Sequence, residues 1–142
     1  MKILSASEKT VPIGSGEANA AISFENMTAS AVAVQVETKD GRFTGLGFSS
    51  YGRYGHGGLL RERFIPRLRA AQDQELLDDN GTFDPEKAWA ILMKDEKEGG
   101  HGERSGAVGV LEMALWDAFA KSLDMPLWGL LAETYGHIND EG

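Results

Sequence analysis

Hydrophobic positions recur most regularly between Ser105 and Leu131. Ala107, Val110, Leu111, Ala114, Leu115, Ala118 and Phe119 follow one another at three- and four-residue steps, which predicts an α-helix with one apolar stripe. Val108, Met113 and Trp116 lie off that stripe, and Glu112 and Asp117 carry the only charges between Ser105 and Ala120. A helix this apolar is covered on more than one side. Gly106 and Gly109 each cost about 1 kcal/mol against alanine in a helix interior. Their place near the helix start predicts another element packed very close. Asp124-Met125-Pro126 ends the helix, because proline cannot continue it and restrains the residue before it. Pro126 then starts a shorter helix whose apolar side is Leu127, Trp128, Leu130 and Leu131.

Upstream the period changes. Residues 2–11 read as a first strand, with imperfect alternation. Residues 12–28 form a long loop, and Ile22, Phe24 and Met27 would give it an apolar underside, as in a packed flap. Val32, Val34 and Val36 alternate with Ala33, Gln35 and Glu37, which predicts a strand over 29–39. Asp40-Gly41 is a hairpin turn signal, and residues 42–49, with Phe43, Leu46 and Phe48, return as a third strand. Residues 59–71 are an amphipathic helix with Leu60, Phe64, Ile65 and Leu68 inward and five charged residues, Arg61 to Arg69, outward. A polar connection over 72–82 leads to Asp84-Pro85, which caps and begins a helix carrying Trp89, Ile91, Leu92 and Met93. The predicted class is α+β: a three-stranded antiparallel meander, then three or four helices.

Length and charge narrow the picture. The chain has 142 residues, enough for one domain, and a formal charge of −8 from 14 basic and 22 acidic side chains. That charge argues against nucleic acid or an anionic membrane as partner, though it leaves room for local anion sites. With no cysteine there is neither a disulfide framework nor a thiolate metal site. The start, MKILSASEKT, lacks the apolar core of a signal peptide, and no apolar run is long enough to span a membrane. A cytoplasmic protein is the expectation.

The candidate chemistry sits in glycine-rich loops. Gly-His-Gly occurs at 55–57 and again at 100–102, each time just ahead of a helix. A helix start presents free amides, and glycines permit close approach to the backbone. Arg53 and Lys97 add positive charge, while Asn19, Tyr51, Tyr54, His56 and His101 add hydrogen-bonding groups. The set suits a small polar ligand with a carboxylate. The same loops also read as plain turns. Two isolated histidines are a weak zinc signal. Arg61-Glu62-Arg63 reads as a solvated face, Asp117 and Lys121 as an exposed helical pair, and Trp89, Trp116 and Trp128 as core or interdomain packing. Glu112 and Asp117, five residues apart, lie on different faces and are no acid–base pair. No P-loop, nucleophile elbow, HExxH or EF-hand pattern is present.

Residues 105–133, SGAVGVLEMALWDAFAKSLDMPLWGLLAE, resemble the helix that closes the N-terminal capping domain in the mandelate racemase and muconate lactonizing group of the enolase superfamily. The likeness is carried by Ala107, Glu112, Ala114-Leu115-Trp116-Asp117, Lys121, Pro126-Leu127 and Leu130-Leu131. GRYGHGGLLRERF over 52–64 and EKEGGHGERS over 96–105 resemble the D-tartrate dehydratase branch of the acid-sugar dehydratases. The resemblance implies a capping domain over residues 1–134, with 135–142 starting a linker toward a (β/α) barrel absent from this chain. The barrel would supply the catalytic lysine, a histidine–aspartate pair and the acidic ligands of Mg2+, which stabilises an enediolate before water is lost. No residue here matches those groups, so catalytic and metal residues are expected outside this chain, which reads as a fragment or truncated product, inactive alone. The cap would supply loops that choose a hydroxy-dicarboxylate or sugar acid. Lys97 and Arg53 would contact its carboxylates, and Asn19, Tyr51, Tyr54, His56 and His101 would hydrogen-bond it. Its expected partners are its own barrel and, in a homo-oligomer, further copies. A racemase or another sugar-acid dehydratase, and a stand-alone binding module, are the other readings left open.

Overall fold

The computed structural model describes residues 1–14, 16–18, 20–21, 23, 25–49, 55–97 and 102–136. Strands β1 (Lys2–Pro12), β2 (Thr28–Thr38) and β3 (Gly41–Ser49) form one antiparallel sheet in the order β1-β2-β3. The hairpin turns at Gly41, whose φ of +137° suits glycine, and the Asp40 amide donates to Thr38 Oγ1 at 3.1 Å. The valine alternation holds, because Val32, Val34 and Val36 are all buried.

The register sets what faces them. Val32 pairs with Gly47, Val34 with Gly45 and Val36 with Phe43. Leu46 and Phe48 therefore point to the opposite face, where Phe48 is 66% exposed. Of the three apolar side chains expected on β3, only Phe43 packs against the core, which two glycines otherwise line.

Those glycines admit the long helix. A Cβ on Gly45 would collide with the Ala114 carbonyl, and one on Gly47 with the Val110 carbonyl, so helix backbone lies directly on the strand. This helix, α3 (Gly102–Ser122), follows α1 (residues 57–70) and α2 (Pro85–Leu92), and precedes α4 (Leu127–Tyr135). Its stripe is buried from Ala107 to Ala118, with Phe119 half-buried, and Val108 and Ala120 are buried too, so it is covered on more than one side. The close approach expected at its small residues is real at Gly106, where a Cβ would stand 2.6 Å from the His56 ring. It is absent at Gly109, where a Cβ would meet no other element within 4 Å among the described residues.

Helix α1 buries Leu60, Phe64, Ile65 and Leu68. Its segment Leu60–Phe64 is a π-turn, closed by the Ile65 amide donating to the Leu60 carbonyl. Pro66 is the physical reason: it offers no N–H to Glu62, and its ring crowds that carbonyl. The connection after α1 is better anchored than its polarity suggests. A 3-10 turn, Asp73–Leu76, carries a capping box in which the Gln72 amide donates to Glu75 at 2.7 Å. Leu76 and Phe83 are buried, and the Phe83 ring meets Phe119 edge-on at 5.4 Å. Asp84 caps α2, accepting from the amides of Glu86 and Lys87 at 2.9 and 3.2 Å.

Helix α3 stops where expected. Asp124 turns left-handed at φ +53°, and the Met125 amide donates back to Ala120 at 3.0 Å. Helix α4 buries only Leu130 and leaves Trp128 76% exposed. The tryptophans are not core residues: Trp89 is 46% exposed, and Trp116 is half-buried against Phe119 and Tyr135. Asp117 and Lys121 do more than pair with each other at 2.6 Å. The Leu46 amide donates to Asp117 at 2.8 Å, and the Lys121 ammonium donates to the Thr44 carbonyl at 2.9 Å. The helix thereby occupies backbone groups on the free edge of β3. Among the described residues no helix is long and apolar enough to cross a membrane.

Candidate functional site

Three loops were expected to carry the site, and the fold positions each differently. Of the seven substrate-contact candidates, Asn19, Tyr51, Arg53, Tyr54 and His101 lie outside the described residues. So do Ile22 and Phe24 of the expected flap; Met27 is half-buried, and its carbonyl accepts from the Ile13 amide at 2.8 Å. Within that loop, residues 18 and 23 form an isolated antiparallel bridge.

The second loop ends on the sheet. Gly55 and Gly57 are pressed against Thr10, Thr28 and Ser30 so closely that a Cβ at either would clash. Close approach is therefore needed here for seating the loop on β1 and β2. Thr10 Oγ1 donates to Glu8 at 2.9 Å and shares a hydrogen bond with Ser30 Oγ at 2.8 Å. Arg61 pairs with the same Glu8. Thr28 Oγ1 is buried with no hydrogen-bond partner among the described residues. His56 is buried beneath the first turns of α3, with its ring against Gly106. Burial pulls its pKa below the ordinary 6.5, opposed by Glu103, which favours the uncharged imidazole.

The third loop starts from a charge cluster that the sequence reading missed. Glu96 has a side chain only 4% exposed and is held by three arginines. Arg104 lies at 2.9 Å, Arg67 at 2.9 Å and Arg63 at 3.3 Å. Arg67 also donates to the Leu92 carbonyl at 2.8 Å. The Arg104 hydrogen bond is the largest cause holding the Glu96 carboxyl below the usual glutamate range, with burial opposing and Arg63 and Arg67 adding to the depression. Arg61 and Arg63 are thus not a merely solvated face. The signal available was Arg63 and Arg67, one helical turn apart, with no acid on their own helix face to share. The hub fixes the residue before Lys97, and the Lys97 side chain is exposed at the head of the loop leading to α3.

Beside the hub, α2 and α3 enclose a cleft of about 620 Å³ lined by Trp89, Ala90, Met93, Glu96, Ser105, Val108 and Glu112. An adjoining groove of about 280 Å³ runs on to Pro85, Glu86, Trp116 and Tyr135. Glu112 borders both, and burial pushes its carboxyl above the usual glutamate range. Glu112 and Asp117 face different partners, as their spacing implied.

Among the described residues no group of three His, Cys, Asp or Glu side chains could hold a metal ion. Glu96 is already saturated by arginines, and Glu112, with Glu86 beside it in the groove, has no third ligand among the described residues. These residues do not fit Mg2+. What the arrangement offers is a frame that seats residues 55–57 on the sheet beside the first turns of α3 and fixes Glu96 just before Lys97.

Such a frame belongs to a known class. Residues 17–132 match the family described as mandelate racemase / muconate lactonizing enzyme, N-terminal domain. The chain belongs to that family, whose parent enolase superfamily consists of enzymes that generally use Mg2+. Among solved structures it is similar to the crystal structure of a mandelate racemase/muconate lactonizing enzyme-like protein from Rubrobacter xylanophilus. The two share 19% identity and a TM-score of 0.55 over 89% of this chain and 32% of that one. At that identity the likeness is one of fold. The chain spans about a third of the length of that protein.

Proposed function

We propose that this chain is the capping domain of a mandelate racemase-group enzyme and that the whole enzyme is an acid-sugar dehydratase of the D-tartrate type. The observation that carries the capping reading is the exposure of α4. Trp128, Leu123 and Leu131 stand in solvent on and just before a helix that buries a single side chain. Apolar surface of this kind is what a domain presents to a second domain. The barrel would hold the Mg2+ and the base that removes the proton next to the substrate carboxylate. Loss of the β-hydroxide then yields a 2-keto acid.

The cap's share is recognition. Lys97 and Arg53 would meet substrate carboxylates, with Asn19, Tyr51, Tyr54, His56 and His101 as hydrogen-bonding groups around them. The dehydratase reading is supported by the two glycine- and histidine-containing loop sequences, 52–64 and 96–105.

The test is made on the protein as its native host produces it. Its intact mass is measured, and the purified protein is assayed with Mg2+ against D-tartrate and a panel of sugar acids for 2-keto acid. A mass near three times 15.4 kDa with keto-acid formation supports the proposal. Epimerised product without dehydration moves the protein to the racemase branch. A native mass of 15.4 kDa without turnover leaves a binding module. In the full-length enzyme, Lys97→Met should raise KM or lower kcat several-fold with an unchanged circular dichroism spectrum. Unaltered kinetics would remove Lys97 from the site.

A further inference from the structure

The groove between α2, α3 and α4 has no part in the recognition just described. Its lining includes Trp89, Trp116, Tyr135 and two carboxylates, Glu86 and Glu112. Among the described residues no lysine, arginine or histidine lines it or the adjoining cleft. Glu96, the other acid nearby, is already matched by Arg63, Arg67 and Arg104. Glu112 is different: it is half-buried, and no described residue forms an ion pair or hydrogen bond with it. Trp89 also offers free ring surface, being 46% exposed although it stands on a helix packed against α3, while Trp116 is half-buried against Phe119 and Tyr135. A carboxylate beside indole rings with no cation of its own is complementary to a basic side chain, through an ion pair and a cation–π contact together.

We propose that this groove seats an arginine or lysine from the domain that follows this one, with its cationic head on Glu112 and its stem against Trp89 and Trp116. The inference rests on the capping-domain reading. Two features favour that donor over a free ligand. Helix α4 ends at Tyr135, which is itself part of the groove wall, so the last described helix finishes beside the groove. The exposed apolar side chains of α4 adjoin the same helix, which makes one continuous surface for a second domain to cover. Burial raises the Glu112 pKa, and an incoming cation would reverse that shift.

The 142-residue chain is titrated with N-acetyl-L-argininamide and, in parallel, with N-acetyl-L-citrullinamide, a near-isostere without charge. Indole N–H resonances, assigned with Trp→Phe variants, report the binding. The expected result is saturable shifts at Trp89 and Trp116 but not at Trp128, with the citrulline compound at least tenfold weaker. Glu112→Gln, checked for an unchanged thermal transition, should erase that preference. Equal responses to the two compounds, or a preference retained in Glu112→Gln, would overturn the proposal in favour of an apolar occupant.

Hydroxyl-radical footprinting of the native protein then tests the donor. Protection of Trp89 relative to the isolated chain supports a resident side chain from the second domain. Trp89 labelled equally in both overturns it, even where the arginine titration succeeds. A native mass of 15.4 kDa removes the donor and the capping reading together. A longer native protein that protects Trp89 but dehydrates no acid loses only the dehydratase reading.

Discussion

Replacing Gly109 by alanine should raise stability by about 1 kcal/mol, the usual helix-interior difference, because among the described residues no neighbouring element comes within 4 Å of the new methyl group. Replacing Gly45 should lower it by about 3 kcal/mol, since the same methyl would drive the Ala114 carbonyl off the strand. Urea unfolding of the two variants checks both signs, and a stable Gly45→Ala protein would contradict the backbone contact. The contrast shows what single residues disclose. The alternation of Val32, Val34 and Val36 is legible because strand period and burial coincide. Gly45 and Gly47 are silent in sequence, because what they touch lies some 70 positions away. His56 was legible as a polar group in a glycine-rich turn, yet its burial beneath Gly106 follows only from the helix that crosses it.

Between elements, the informative contacts are ionic. Glu96 ties α1 to the start of α3 and to the loop between α2 and α3. Glu96→Gln should cost about 2 kcal/mol at pH 7, less than a fully buried pair because Arg63 is 45% exposed. The native pKa of Glu96 is depressed, so its contribution is present above the ordinary value of 4.5 and is lost as pH falls through the lower native value. The gap between wild type and variant should therefore close in acid, which paired urea melts at pH 7 and pH 3 would reveal. Asp117→Ala should cost about 2 kcal/mol and speed amide exchange at Leu46, whose N–H would lose its charged acceptor. Unchanged exchange there would show that the helix does not guard the edge. The helices themselves were readable from their periods and caps. The bonds between them were not, because a charged side chain on one helix carries no mark of its distant partner.

For the whole molecule, exposed Trp128, Leu123, Leu131, Leu46 and Phe48 predict that the 142-residue chain binds a hydrophobic dye while retaining a cooperative melt. Absence of dye binding would count against a covered face. The order of strands and helices was legible throughout, since each has its own period and stop signal. The candidate site was less so. Five of its seven residues lie outside the described residues, and in the charge hub behind Lys97 the sequence pattern places Arg63 and Arg67 on an outward face and gives no sign of Glu96.

The π-turn before Pro66 has a consequence for how the chain tolerates change in length. It holds one residue more than a regular helix needs to cover the same rise. One residue is about 100° of phase in a regular helix, and the wide turn absorbs it. Deleting one residue within 60–64 would restore the regular turn and keep the segments on either side in phase. Deleting one within 65–70 would instead swing everything upstream by that angle and turn Gly57 and Gly55 away from Thr10 and Thr28. The seat of residues 55–57 on the sheet is thus a matter of residue count in the helix that follows them, and the wide turn is the place where a codon can be lost without re-aiming it.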